Sequence, residues 1–286
     1  MEFEDFLLSE IKHWSISRIN LYLSCPFAYY LRYVEKWHPR VKPLSIIVGG
    51  IIHSTLEKYF KNEISEKELA QDSLQELAKF RLTCEKSEFS YYWKRIPTLM
   101  MAFQEANLID REKVLEIEKE HFVPIINFQT GEKLENEIFW TRLDLLHEGS
   151  KGLIITDFKT GKKAPQGMIS KEELKEIEKG KKDEVLNDLL LQDPQLHGYS
   201  YALHFQKKRV RAVQQVHLIF STQPKVGLIR VPLHSARIKR FSSWLFDVVS
   251  HIKSDTRFPR YVSWKCRMCL FYKLCIKSEE EDFERG

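Results

Sequence analysis

The stretch Ile138–Lys163, IFWTRLDLLHEGSKGLIITDFKTGKK, constrains the fold more than any other part of the chain. Two apolar, β-rich runs flank a short polar segment with Gly149 and Gly152, the sequence sign of a hairpin. Successive strand side chains point to opposite faces, so Asp157 and Lys159 share one face while Ile154, Thr156 and Phe158 share the other. On the first strand Asp144 lines up with Arg142 and Trp140. With the turn centred near Ser150, antiparallel pairing sets Asp144 opposite or next to Asp157. Two ionised carboxylates about 4 Å apart repel by about 4 kcal/mol at an effective dielectric of about 20, and like charges facing each other destabilise a sheet. A shared proton, the Lys159 ammonium or a divalent cation must offset that cost.

Two acids with a lysine two residues after the second form the pattern of a metal-dependent phosphodiesterase. The acids hold Mg²⁺ or Mn²⁺, the metal acidifies a water and clamps the phosphate, and the lysine positions the nucleophile or steadies developing charge. Taken alone, D-x-K reads more readily as a surface hairpin with ordinary salt bridges, so the rest of the chain has to decide. At 286 residues the chain can bury one sizeable core, with room for a helical annex. Hydrophobic content of 43% and charged content of 30% describe a globular protein. No run of about 18 apolar residues exists, so no membrane span is expected. The acidic start, MEFEDFLLSEIKHW, has no apolar h-region, which points to a cytoplasmic protein. A net charge of +5 permits a nucleic-acid partner without requiring one.

Ile16–Tyr33 reads as two short helices, the first capped by Ser17 and the second by Ser24 with Pro26 early in it. Cys25 then lies at a helix start, where the dipole favours a thiolate. Gly49-Gly50 opens a further helix, IIHSTLEKYF, with His53 beside its apolar stripe; a lone histidine there is more often a satisfied boundary residue than a ligand. Residues 62–110 read as helical and charged, an insert or lid, with Cys84 inside a helical stretch. Within them SYYWKR (Ser90–Arg95) can stack bases and hold phosphates, or serve as an amphipathic packing face, and the packing reading is favoured. A β-rich core begins near Val114, and residues 164–187 are a Lys/Glu-rich loop or solvated helix. Asp193 and Pro194 cap and start a helix on which Gln195 and Tyr199 share a face. Two more strands and a last helix from Ser235 follow.

The segment WKCRMCLFYKLC places Cys266, Cys269 and Cys275 in a C-x₂-C-x₅-C array. Without an export signal, clustered cysteines indicate metal more than disulfide. A fourth ligand is needed, and Cys25 is the best remote candidate, with Cys84 left as an ordinary thiol. Three plus one suits a [4Fe–4S] cluster, with Zn²⁺ the alternative. Either would staple the chain's first helices to its last segment.

SCPFAYYLRY, GGIIHSTLE, the RLDLL and DFKTGK hairpin, QLHGY and the terminal CRMC…C occur in that order from about residue 15 to 276. Together they resemble the RecB-type exonuclease branch of the PD-(D/E)XK nuclease superfamily. Its iron–sulfur subgroup includes the AddB nuclease domain and the CRISPR-associated RecB-like exonucleases. The resemblance implies an α/β, restriction-endonuclease-like mixed sheet flanked by helices, with a helical insert and a C-terminal cysteine segment. The expected divisions are 1–48, 49–112, 113–255 and 256–286.

Carried residue by residue, the resemblance implies His53, Asp144, Asp157 and the Phe158 carbonyl as ligands of Mg²⁺ or Mn²⁺ and Lys159 as the catalytic lysine. It makes Gln195 and Tyr199 the substrate-positioning Q-x₃-Y pair, and Cys25, Cys266, Cys269 and Cys275 the cluster ligands. The implied activity is hydrolysis of DNA phosphodiesters at single-stranded ends, in repair, recombination or CRISPR-type processing. No G-x₄-G-K-[ST] P-loop is present, so unwinding would fall to a helicase or CRISPR-adaptation partner. The competing readings are a non-catalytic DNA-binding scaffold and a zinc-stapled hydrolase of another substrate.

Overall fold

The computed structural model describes residues 12–179 and 193–286. The expectation of no leader at the N-terminus rests on residues 1–11, outside that range, as does most of the charged stretch after Glu178. Along the chain run β1 (Lys12–Trp14), α1 (Ile16–Ser24), α2 (Pro26–Tyr29), β2 (Trp37–Pro39), α3 (Leu44–Phe60), α4 (Leu69–Ala78) and α5 (Lys86–Ala106). Then come β3 (Val114–Ile126), β4 (Lys133–Gly149), β5 (Gly152–Gly161), α6 (Lys171–Glu178), α7 (Pro194–Phe205), β6 (Val210–Ile219), β7 (Lys225–Pro232), α8 (Ser235–Ser254) and β8 (Phe283–Arg285). Six strands make one mixed sheet in the order β1-β4-β5-β6-β7 with β3 on β4, the expected α/β architecture. Among the described residues no helix is long and apolar enough to cross a membrane.

The chain divides into two compact units. The first includes residues 12–42, 122–141 and 239–286; the second includes 43–121, 142–179 and 193–238. In the first, α1 is capped by Ser15, not Ser17, because the Ser15 hydroxyl accepts the Arg18 amide and Ile16 is already buried in the helix. Cys25, not Ser24, precedes Pro26 as the cap residue of α2. Ala28, Leu31, Phe271 and Phe283 form a small apolar cluster, and β2 pairs antiparallel with β8.

In the second unit the hairpin forms as the sequence dictates. β4 and β5 pair antiparallel with Leu145 opposite Thr156 and Gly149 opposite Gly152, whose φ of +126° suits glycine alone. β5 and β6 are parallel, so the chain must cross over between them, and α6 and α7 are the described helices of that crossover. β6 and β7 close the sheet as an antiparallel pair.

Helix α3 begins at Leu44, so Gly49-Gly50 lie inside it instead of opening it. The stripe Leu44, Val48, Ile51, Ile52, Leu56 and Phe60 is buried, which outweighs about 1 kcal/mol of helix propensity lost per glycine. A Cβ on Gly49 would stand 3.2 Å from Thr160 Oγ1, so the glycine lets α3 approach the end of β5. The segment after α3 is no detached lid. Leu69, Leu77, Tyr92, Ile96, Leu99, Met100 and Phe103 join the apolar cluster that also holds Leu145, Phe158 and Val216. Cys84 lies in the turn between α4 and α5, not within a helix, and its thiol donates to the Phe80 carbonyl at 3.0 Å.

Candidate metal centre and cysteine array

Strand parity on β5 sends Phe158 into the apolar cluster, where its ring stacks on Phe60 at 6.0 Å, and turns Asp157 and Lys159 the other way. Both acids are buried, with Asp144 7% and Asp157 1% exposed. The Phe158 backbone serves both sides of the site. Its amide donates to Asp144 Oδ2 at 2.8 Å, and its carbonyl lies 3.0 Å from His53 Nε2 on α3. The other ring nitrogen, His53 Nδ1, stands 3.6 Å from Asp144 Oδ2 and 3.7 Å from Glu118 Oε1.

His53, Glu118 and Asp144 thus offer three donor atoms within 4.8 Å of one another. Metal–oxygen lengths of about 2.1 Å place adjacent ligands about 3.0 Å apart and opposed ligands about 4.2 Å apart. The two spacings from His53 Nδ1, 3.6 and 3.7 Å, fall between these, and a divalent cation fits this donor set. Glu118 escaped the sequence reading because Glu116, Glu118 and Glu120 alternate along β3, and nothing in that run singles one out. In the structure Glu118 adopts φ +45°, a conformation costly for a residue with a Cβ. Arg142 of β4 holds its carboxylate, with Nε 2.8 Å from Oε2.

Asp157 belongs to a closed ring of polar contacts. Lys159 Nζ stands 2.7 Å from Asp157 Oδ2 and donates to Gln195 Oε1 at 3.0 Å. Gln195 Nε2 donates to the Tyr199 hydroxyl at 2.5 Å, which donates to Asp157 Oδ1 at 3.4 Å. Asp157 Oδ2 still lacks a well-directed hydrogen bond, leaving acceptor capacity on a buried oxygen. Asp193 supports the ring by capping α7: Oδ1 accepts the Gln195 amide at 2.8 Å, and Oδ2 accepts Gln215 Nε2 at 2.7 Å. Beside Lys159 in the β5–β6 register is His217, whose Nε2 is buried without a partner among the described residues. Asp193 is read from sequence as the α7 cap alone, and Gln215 and His217 are not singled out there, since each gains its place only through strand register.

The electrostatics follow from burial and crowding. Burial, then the Asp157 charge, pushes Asp144 up to about 7 against the opposing pull of His53 and the Phe158 amide. Burial also raises Asp157, although Lys159 pulls it back. Burial alone would lower Lys159, but Asp157, Asp193 and Asp144 override it and keep the ammonium charged. His53 is likewise lowered by burial and raised further by Glu118 and Asp144. The crowded acids therefore hold protons more tightly than they would in water, and a cation can take the protons' place.

In the other unit, Cys25 at the start of α2 and Cys266, Cys269 and Cys275 in the terminal turns are half-buried free thiols. Burial pushes Cys269 up, and the nearby Cys25, Cys275 and Cys266 add to it. Cys275 is raised by burial, with Cys25 and Cys266 adding and Arg260 opposing. All four predicted thiols are thus gathered. Among the described residues no three of these sulfurs lie within 4.8 Å of one another. Zinc–sulfur bonds of about 2.3 Å would bring the sulfurs to about 3.8 Å.

The sequence profile of the PD-(D/E)XK nuclease superfamily matches residues 13–276. Among solved structures, one described as a candidate exonuclease from Eubacterium rectale is similar in fold, with a TM-score of 0.54 and 12% identity over 94% of this chain and 92% of that one. Another, SSO0001, is 15% identical over 96% of both chains at a TM-score of 0.33. No curated protein matches the sequence.

Proposed function

The chain belongs to the PD-(D/E)XK nuclease superfamily, and on that premise we propose that it is a metal-dependent exonuclease acting on single-stranded DNA ends. One observation carries the reading. His53, Glu118 and Asp144 converge on one side of the Phe158 backbone, while the next residues on β5, Asp157 and Lys159, close a polar ring with Gln195 and Tyr199.

His53, Glu118, Asp144 and Asp157, with the Phe158 carbonyl, would hold Mg²⁺ or Mn²⁺; the imidazole makes Mn²⁺ a comfortable occupant. Such an ion supplies charge stabilisation at phosphorus and an acidified water. Lys159 keeps its proton and faces the phosphate, offsetting the charge that builds on its oxygens. Gln195 fixes the Lys159 ammonium by accepting from it, and Tyr199 fixes Asp157 by donating to it. Hydrogen-bonded to one another, with Asp157 and Tyr199 buried and Lys159 and Gln195 half-buried, these groups need little reorganisation when substrate arrives.

Cys25, Cys266, Cys269 and Cys275 would hold a [4Fe–4S] cluster that stiffens the terminal segment. The three-plus-one arrangement, with Cys25 the remote ligand, favours that over a single Zn²⁺. A pathway in repair, recombination or CRISPR-type processing, with a helicase or adaptation partner, completes the reading. The test is degradation of end-labelled single strands with Mn²⁺ by anaerobically purified protein. Stepwise shortening that requires Mn²⁺ and fails in Lys159→Ala is the expected result; metal-independent cleavage, or an active Lys159→Ala, overturns it.

A further inference from the structure

The side chains of SYYWKR on α5 part to different sides of the helix. Tyr92 and Ile96 enter the apolar cluster, and Trp93 stacks on Phe89 at 5.4 Å. Tyr91 and Arg95, one turn apart, turn to another flank and meet Lys162, the residue that follows β5. The Arg95 guanidinium carbon lies 3.9 Å from the Tyr91 ring centroid, and Lys162 Nζ lies 5.0 Å from the same centroid. Arg95 is held by Nε donating to the Ser221 carbonyl at 3.0 Å and Nη1 donating to the Tyr91 carbonyl at 3.1 Å. The Tyr91 hydroxyl donates to the Phe220 carbonyl, which fixes the ring between the two cations.

Every one of these partners is neutral. Among the described residues neither Arg95 nor Lys162 is paired with a carboxylate, so two like charges are held against one ring with nothing to balance them. Cation–π contact orients both cations without neutralising either. Such a pair is matched by an anion with several oxygens, and the arginine fork with its remaining N–H groups suits a phosphate. Lys162 lies three residues beyond Lys159, about 10 Å of extended chain.

We propose that Tyr91, Arg95 and Lys162 form a phosphate-binding site for the nucleic-acid strand, separate from the acids and Lys159, that grips the backbone beyond the bond being cut. The proposal rests on the nuclease reading for the identity of the anion. It is tested on the full chain with Arg95→Gln/Lys162→Gln, using a fluorescein-labelled single-stranded oligonucleotide in EDTA and reading anisotropy over a range of salt. Loss of two phosphate contacts should weaken binding about tenfold at low salt and make the slope of log K against log salt shallower by about 1.4. Lys162 is exposed, so Lys162→Gln alone, with half that change, keeps the test decisive if the double variant misfolds. Hydrolysis of bis(p-nitrophenyl) phosphate with Mn²⁺, too small a substrate to span both places, should stay within twofold of wild type. An unchanged salt slope in the variants overturns the proposal. If the wild type hydrolyses nothing yet the slope still falls, the site stands and the hydrolase reading fails; intact hydrolysis with an unchanged slope removes the site and leaves the hydrolase reading in place.

Discussion

Asp144, Asp157 and Lys159 come from paired strands, and both acids lie out of water in directed contacts. The four clustered cysteines instead sit half-exposed in turns and at a helix start, and Cys266 Sγ makes local contacts with the Ser263 amide at 3.4 Å and the Tyr261 carbonyl at 3.7 Å. The first region is held in place by the protein alone, through the sheet, the Phe158 backbone and the Gln195–Tyr199 pair. The second brings its ligands near one another and leaves the final ordering to whatever they bind. A preorganised charged site should tolerate loss of its ion without losing its shape, whereas a cysteine array should not.

The sharpest way to break this contrast is at the strands. Lys159→Ala and Asp144→Ala should each cut strand cleavage at least about 100-fold while oligonucleotide binding in EDTA survives; cleavage within tenfold of wild type in both would remove the site from the chemistry. Cys266→Ser should give colourless protein with a melting temperature several degrees lower, at about 2–4 °C per kcal/mol for a chain of this size. An unchanged spectrum and melting curve would place the cysteines on a par with ordinary thiols. Glu118→Gln should weaken Mn²⁺ binding, read by calorimetry, by about tenfold, and no change would exclude Glu118 from the ligand set.

The pH dependence sharpens the same point. Asp144 is raised to about 7, so the native state holds its proton where the unfolded chain has lost it, and its contribution falls as pH rises from about 4 to about 7. His147 and His217, each lowered to about 4 by burial first, pull the other way over much of that range. The difference in melting temperature with and without Mn²⁺ isolates the site: it should grow up to about pH 7 and then level, because cation and proton compete for Asp144. A flat difference would mean the cation binds elsewhere. The smallest effect is expected at Cys84→Ser, within about 0.5 kcal/mol by urea denaturation, since that thiol sits half-buried at the edge of the apolar cluster and donates to a carbonyl in its own turn, which a serine hydroxyl can also do.

The hairpin, the α7 cap and the Gln195–Tyr199 pair were legible because each follows from local rules: a period of two, glycines at a turn, Asp-Pro at a helix start, a spacing of four. His53 was legible only by resemblance, as its stripe on α3 reads as packing. Glu118 was not legible at all, for its orientation depends on a left-handed residue within β3 that no pattern announces. The glycines at 49 and 50 misled for a similar reason. The value of Gly49 lies in the approach of α3 to Thr160, a tertiary fact, while local propensity marks glycine as a boundary. SYYWKR looked like one surface and is several, because helical periodicity separates neighbours that a linear reading groups together.

Phe158 never turns its ring toward the acids, yet its amide and carbonyl engage Asp144 and His53, and the ring is clamped among Phe60, Phe103 and His53. The chemistry is thereby geared to the hydrophobic interior. A substitution such as Phe158→Leu changes no charge and no ligand, but by loosening that clamp it would detune both partners at once, so a change made wholly in the apolar interior would be felt at the acids.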